Sequence, residues 1–199
     1  FIPGPTNMPE VLRRAADMPT LDHRSPRFAE ILHPALAGVR KVIKSASAEV
    51  FVFPSTGTGG WETAITNTLS PGDTVLAARY GMFSHRWIDM CRRHGLNVEL
   101  VEEAWGNALP VEAYEARLRA DRQHRIKAVL ATHNETATGV RSDIAAVRRA
   151  LDAANHPAML FVDGVRRGIV AEIAAGVVAT AALVLVFLAL TERAPAGAA

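Results

Sequence analysis

The stretch AVLATHNETATGVRSDIAAVRRALDAANHPAMLFVD, residues 128–163, decides the fold because it contains one complete strand–helix–strand unit. Residues 128–131 form an apolar run that predicts one strand, and residues 159–163 predict a second strand that ends on an aspartate. Between the two runs, Ser142 or Asp143 is positioned to cap a helix. Two strands joined by a helical crossover run parallel, because only a long connection returns the chain to the same end of a sheet.

The same alternation of apolar runs and helical patterns extends upstream as far as Val50. Strands are predicted over residues 50–53, 75–78 and 98–101, and helices over residues 61–69, 83–93 and 110–120. A series of strands and helices in this order is typical of a layered α/β fold. The sequence therefore predicts a mostly parallel sheet with flanking helices.

The first fifty residues have a different character. Residues 1–7 are rich in proline and glycine and predict an extended arm. Residues 27–44 have the spacing of an amphipathic helix, with one apolar face made of Phe28, Ile31, Leu32, Leu36, Val39 and Val42. We interpret this segment as a lead-in helix that packs on the sheet or on a partner subunit.

Composition excludes several classes of protein. The chain has 199 residues, of which 49% are hydrophobic and 21% are charged, so it can bury one sizeable core. The net charge is +2, and the arginines are interspersed with carboxylates, which argues against a nucleic-acid-binding stripe. The single cysteine, Cys91, cannot form an intrachain disulfide, as expected of a protein in a reducing compartment.

The sequence changes abruptly after Val165. Residues 169–190 are almost entirely apolar, and residues 173–190 carry no charge and are just long enough to cross a membrane. Residues 166–199 are therefore expected to be a tail unrelated to the preceding fold. Residues 169–190 are predicted to form either a buried apolar helix or a transmembrane helix.

Four features with a possible role in ligand binding fall at the predicted strand ends. The loop at residues 55–60, STGTGG, lies between a strand and a helix, where backbone N–H groups and threonine hydroxyls can bind phosphate. Asp163 ends the last strand, and ligands of open α/β sheets bind at this edge. Phe83 and the polar loop at residues 132–139 fall at two further strand ends. Together they favour a flat, cationic, phosphate-bearing ligand, although each feature taken alone also fits a turn, a helix cap or core packing.

A metal site is not expected. His133 lies in the polar loop, but no cysteine or histidine stands at metal-ligand spacing from it. A metal-dependent hydrolase would have only His133 and Asp163 in its favour.

Several phrases, taken in order, resemble the class V aminotransferases and in particular their serine–glyoxylate and alanine–glyoxylate branches. The phrases are FIPGPTN at residues 1–7, HRSP at 23–26, PSTGTGGWE at 54–62, THNETATGV at 132–140 and FVDGV at 161–165. The resemblance covers residues 1–165 and stops there.

The resemblance implies the large domain of a fold-type-I enzyme, cytoplasmic and homodimeric, with pyridoxal phosphate bound between subunits. Such an enzyme moves an amino group from serine or alanine to glyoxylate. By resemblance, the phosphate would be held by Thr56, Gly57 and Thr58. Phe83 would stack on the pyridine ring, Thr136 would place a hydroxyl beside it, and Asp163 would pair with the ring nitrogen.

The departure from the family pattern concerns catalysis. The family binds the cofactor through a Schiff-base lysine beyond the position of Asp163, whereas the lysines of this sequence are Lys41, Lys44 and Lys127. The family's small domain has no counterpart either. The sequence thus predicts an incomplete or chimeric large domain that holds pyridoxal phosphate non-covalently at best, with no assigned catalytic residue and little or no transaminase activity. The alternative is a membrane-anchored, non-catalytic interaction protein.

Overall fold

The computed structural model describes residues 7–42, 45, 47–52 and 55–164. These residues form two compact units. The first comprises the described residues up to Gly57 together with Gly164, and the second is Thr58–Asp163.

The first unit contains two helices, α1 (Glu10–Ala16) and α2 (Pro26–Val42). The amphipathic segment predicts α2 correctly, and Val39 on its apolar face is buried. After the helix, Arg40 donates a hydrogen bond from Nε to the carbonyl of Ala48 at 2.8 Å, which ties the following segment back to α2. The sequence did not predict α1, a single short helix with no buried residue.

The strand predicted over residues 50–53 is wrong for the residues that the structure describes. Val50, Phe51 and Val52 belong to no strand, and Phe53 lies outside the described residues. Val50 is buried, but 65% of Phe51 is exposed. An apolar run becomes a strand only when a neighbouring strand accepts and donates its backbone hydrogen bonds, and the run itself does not reveal whether that neighbour exists.

The second unit contains the alternating strands and helices that the sequence predicts. In chain order they are α3 (Gly57–Thr68, which starts on the last residue of the first unit), β1 (Thr74–Arg79), α4 (Met82–Arg93), β2 (Asn97–Glu102), α5 (Val111–Ala120), β3 (Ile126–Thr132), β4 (Asn134–Glu135), β5 (Val140–Arg141), α6 (Ile144–Ala153) and β6 (Met159–Asp163). Asp143 is the residue that caps α6, accepting a hydrogen bond from the Ala146 amide at 2.9 Å.

Within the described residues, four strands form a parallel sheet in the order β2-β1-β3-β6. The register pairs Val75 with Val98 on one side and with Ala128 on the other. At the far end of the sheet, Thr132 pairs with Asp163. The predicted α/β fold with a mostly parallel sheet is therefore confirmed, and the carboxyl ends of β1, β3 and β6 lie along one edge.

Both faces of the sheet are covered. Leu76 and Ala78 of β1 belong to one buried cluster with residues of α5 and α6. Their neighbours Val75 and Ala77 belong to a second cluster with residues of α3 and α4. Successive strand residues point to opposite faces, so a strand buried on both faces must be apolar throughout, and the predicted apolar runs have this property.

The polar loop at residues 132–139 contains an element that the sequence did not predict. Asn134 pairs with Arg141 and Glu135 with Val140 in a short antiparallel ladder, β4–β5. Gly139 adopts a φ of +76° in the turn between them, a conformation that glycine tolerates best. Two-residue strands are too short for any alternation to show in the sequence.

No helix in the described part of the chain is long and apolar enough to cross a membrane. The predicted apolar helix at residues 169–190 and the rest of the 166–199 tail lie outside the described residues.

Candidate functional site

Asp163 is the last residue of β6 and lies at the carboxyl edge of the sheet, where it is 7% exposed. Its carbonyl oxygen accepts a hydrogen bond of 2.9 Å from the amide of His133, the residue that follows β3. The ladder pairing and this additional bond fix the Asp163 backbone to the end of β3. The backbone that carries the Asp163 carboxylate is therefore fixed in position.

Tyr80 joins the end of β1 to the end of β3. Its hydroxyl donates to the Thr132 carbonyl at 2.6 Å and accepts from the Thr132 amide at 3.1 Å. Burial raises the pKa of Tyr80 to about 12, so the phenol keeps the proton that it donates. Three strand ends, those of β1, β3 and β6, are therefore held together.

Phe83 lies in the first turn of α4 and is half-buried. Its ring packs edge-to-face with that of Trp61 of α3, with ring centroids 6.4 Å apart and an interplanar angle of 77°. The Phe83 amide donates to both carboxylate oxygens of Glu135, each at 3.1 Å. The first turn of α4 is thereby fixed to the β4–β5 loop.

Glu135 is the site residue that sequence reasoning missed. Its side chain is completely buried, and it accepts hydrogen bonds from the Ser84 amide at 3.0 Å and the Ser84 hydroxyl at 3.2 Å, in addition to the Phe83 amide. One signal could have found it: the residue before α4 is Gly81, which has no side chain with which to cap the helix. A helix without a local cap needs an acceptor from elsewhere in the fold.

Thr136 follows Glu135 directly and is partly exposed. The Glu135 carbonyl accepts from the Gly139 amide at 2.8 Å, which closes the turn that carries Thr136. Phe83 and Thr136 are thus held by one residue, and Asp163 is held by His133, two positions before Glu135. These three predicted site residues come from distant parts of the sequence to one edge of the sheet.

The predicted phosphate loop is divided between the two units. Thr56 and Gly57 belong to the first unit and Thr58 to the second. Thr58 lies in the first turn of α3, one turn before Trp61, and its side chain is exposed. A Cβ added at Gly57 would meet no described atom within 4 Å. Backbone amides at a helix N-terminus attract anions.

His133 borders the same edge. Burial lowers its pKa, and the nearby Arg141 guanidinium lowers it further, so the imidazole is neutral at pH 7. Among the described residues, no group of three histidine, cysteine, aspartate or glutamate side chains could hold a metal ion.

The sequence model of aminotransferase class-V matches residues 10–173. The chain belongs to the class-V aminotransferase family.

Two curated relatives illustrate the similarity. The chain is 73% identical over 165 residues to the L-aspartate–glyoxylate aminotransferase of Paracoccus denitrificans, covering 83% of this chain and 42% of that protein. It is 55% identical over 165 residues to the serine–glyoxylate aminotransferase of Hyphomicrobium methylovorum, covering 83% of this chain and 41% of that protein. The chain therefore spans about two fifths of the length of these relatives.

The fold is shared with a solved structure. The ureidoglycine–glyoxylate aminotransferase of Bacillus subtilis superposes with a TM-score of 0.75 at 23% identity, covering 86% of this chain and 44% of that one. At this identity the likeness shows the fold alone.

Proposed function

We propose that this chain provides the pyridoxal-phosphate pocket of an aminotransferase that transfers an amino group from an L-amino acid to glyoxylate. The observation that carries the proposal is the meeting of Phe83, Thr136 and Asp163 at one edge of the sheet through Glu135 and His133. The two relatives, both glyoxylate aminotransferases, support glyoxylate as the acceptor substrate.

The residues present fit the cofactor. Asp163 offers a buried carboxylate that holds a proton on a ring nitrogen, and Phe83 offers an aromatic face to a flat ring. Thr136 offers a hydroxyl beside that ring. By the family resemblance, the phosphate would be held at the start of α3, by the hydroxyls of Thr56 and Thr58 and by backbone N–H groups at Gly57.

When bound, pyridoxal phosphate supplies an electron sink for bond cleavage at the α-carbon of an amino acid. The protein's part is to hold and orient. Asp163 would face the ring nitrogen from a fixed position because the ladder with Thr132 fixes its backbone. The neutral His133 lies beside Asp163 without adding a competing positive charge.

We propose that the 199-residue polypeptide does not catalyse transamination by itself. The lysine in the second unit, Lys127, lies near the amino end of β3, and its Nζ donates to the His124 carbonyl at 3.3 Å. Thr132 at the carboxyl edge lies five positions further along the strand, or about 16 Å away at 3.3 Å per residue. Lys127 therefore cannot reach a ring that lies against Asp163.

The amino donor is left to experiment. The family resemblance favours serine or alanine as the amino donor, and the relative from Paracoccus denitrificans adds aspartate. We would measure binding of pyridoxal phosphate to the purified chain, and then the formation of hydroxypyruvate, pyruvate or oxaloacetate from serine, alanine or aspartate with glyoxylate. We expect saturable binding and no product above the background of free cofactor. Absence of binding would refute the proposed cofactor pocket. Robust turnover would refute the proposed lack of activity and would leave the proposed pocket standing.

We also infer that the chain forms a homodimer. The first unit exposes three large apolar side chains in and around α1, namely Met8 at 58%, Val11 at 71% and Met18 at 54%. Exposed apolar groups of this kind are typical of surfaces that become covered by another chain. Size-exclusion chromatography with light scattering tests the inference, and a monomer at high micromolar concentration would contradict it.

A further inference from the structure

Glu135 is a charged side chain at 0% exposure, and a buried charge persists only where fixed dipoles or partners replace its lost hydration. Its partners are the first amides of α4. The Phe83 amide reaches both carboxylate oxygens at 3.1 Å, and the Ser84 amide reaches Oε2 at 3.0 Å. The carboxylate therefore lies at the positive end of the α4 dipole, where a negative charge is stabilised.

Gly81 makes this arrangement possible by its lack of a side chain. Its φ is 175°, an extended conformation open to any residue, so the backbone does not require glycine here. A Cβ at this position would instead lie 2.1 Å from Cγ and 2.2 Å from Cδ of Glu135. The space next to the first turn of α4 is thus occupied by a carboxylate from a residue more than fifty positions away.

The two elements that Glu135 joins each carry a residue of the proposed pocket. On one side the carboxylate holds the backbone amide of Phe83. On the other side the main chain of Glu135 pairs with Val140 and accepts from Gly139, so the hairpin that carries Thr136 is rigid. We propose that Glu135 is a positioning residue that sets the Phe83 ring and the Thr136 hydroxyl in a fixed relation, and that cofactor affinity depends on it. This inference rests on the proposed function.

The first test measures the dissociation constant for pyridoxal phosphate in Glu135→Gln, Gly81→Ala and a matched control. The control is Asp143→Ala, which removes a different helix cap, that of the exposed N-terminus of α6. We expect Glu135→Gln and Gly81→Ala to raise the dissociation constant by about tenfold, equivalent to about 1.4 kcal/mol. Asp143→Ala should lower the melting temperature and leave the dissociation constant within about twofold.

A double-mutant cycle distinguishes positioning from a general loss of stability. If Glu135 acts through Phe83, then Glu135→Gln costs much less affinity in a Phe83→Leu background than in the wild type. If the two substitutions change the dissociation constant by independent factors, so that the double variant shows their product, the proposal is overturned. Equal losses of affinity in Glu135→Gln and Asp143→Ala would overturn it as well.

A measurement without cofactor separates this inference from the proposed function. In the wild type, NMR should show a contact between the rings of Phe83 and Trp61 and slow hydrogen exchange at the Phe83 and Ser84 amides. In Glu135→Gln, the ring contact should weaken and both amides should exchange faster. If the wild type binds no pyridoxal phosphate, the proposed function fails, and these spectra alone decide whether Glu135 positions Phe83. Unchanged spectra in the variant would refute the positioning role.

Discussion

The two edges of the parallel sheet both bury charged or polar side chains, but they do so in opposite ways. At the carboxyl edge, Glu135 and Asp163 are supported by backbone amides and strand pairing, and they lie next to partly exposed site residues. At the amino edge, Asp121 and His156 form a closed pair whose side chains are 7% and 1% exposed. The carboxyl edge borders the proposed ligand site, whereas the buried pair at the amino edge is formed between two groups of the protein.

The amino-edge pair is satisfied internally. Asp121 Oδ2 accepts from the Ile126 amide at 2.7 Å and lies 3.4 Å from Nε2 of His156. His156 Nδ1 accepts from the Ala158 amide at 3.2 Å, which places the imidazole proton on Nε2, facing the aspartate. The pair therefore joins the starts of β3 and β6. In parallel α/β folds the carboxyl edge carries function, so we expect the amino-edge pair to serve stability alone.

The largest expected effect comes from breaking the amino-edge pair. Asp121→Ala leaves the Ile126 amide and the His156 Nε2 proton buried without an acceptor, which should cost about 3 kcal/mol of unfolding free energy. Urea titration measures the loss, with Asp152→Ala as the control. Asp152 pairs with Arg148 at 2.6 Å but is 65% exposed, so its removal should cost less than about 0.5 kcal/mol. Cofactor affinity should not change in either variant, and a large change in Asp121→Ala would contradict the division between the edges.

The complementary experiment changes a residue at the carboxyl edge. Asp163→Asn keeps the size of the side chain and removes its charge, so cofactor binding should weaken by about 30-fold, equivalent to about 2 kcal/mol. Unfolding free energy should change by less than about 1 kcal/mol. Binding of pyridoxal phosphate, followed by absorbance, measures the first effect. Stability lost without a loss of affinity would assign Asp163 a structural role instead.

Two buried tyrosines allow a sharper comparison. Tyr80→Phe removes two hydrogen bonds with Thr132 at the carboxyl edge, and Tyr114→Phe removes one 2.9 Å bond to the Leu130 carbonyl inside the core. Each should cost about 1–2 kcal/mol of unfolding free energy. Only Tyr80→Phe should also weaken cofactor binding, by about threefold, since it loosens the junction of β1 and β3. Equal binding losses in both variants would show that affinity follows stability alone.

The smallest expected effect is the pH dependence of stability. Burial lowers the pKa of His156 below 6.5; Asp121 opposes the shift, and His124 and Lys127 reinforce it. The folded state therefore binds its proton less readily than the unfolded state, so the stability that His156 contributes is complete above about pH 6.5, the unfolded-state pKa, and is lost as the pH falls below it through the lower folded-state pKa. Burial lowers the pKa of His133 too, with the same sign.

Urea titrations between pH 8 and pH 5 should show falling stability in the wild type. His156→Gln should flatten the curve without removing the slope, because His133 still titrates. A pH dependence of stability that is unchanged in His156→Gln would contradict its assignment to the amino-edge histidine.

The sequence predicted most of the second unit because the signals there are local. The strands β1, β3 and β6 are continuous apolar runs, and helices such as α4 and α6 have periodic apolar faces. The same reasoning failed at residues 50–52, where an apolar run belongs to no strand. It also missed Glu135, because a single glutamate in a polar loop looks like an exposed residue until α4 is placed beside it.

By itself, the sequence determined the alternation of strands and helices, their parallel arrangement and the family resemblance that singled out Phe83, Thr136 and Asp163. These properties follow from periodicity and short phrases, which depend on neighbours in the chain. Only the tertiary structure decided that Glu135 caps α4 through Gly81, that Tyr80 joins β1 to β3, and that Asp121 and His156 close the opposite edge. Each of these contacts joins residues that are remote in the chain, and their free energy exists only after the backbone has folded and water has left the space between them.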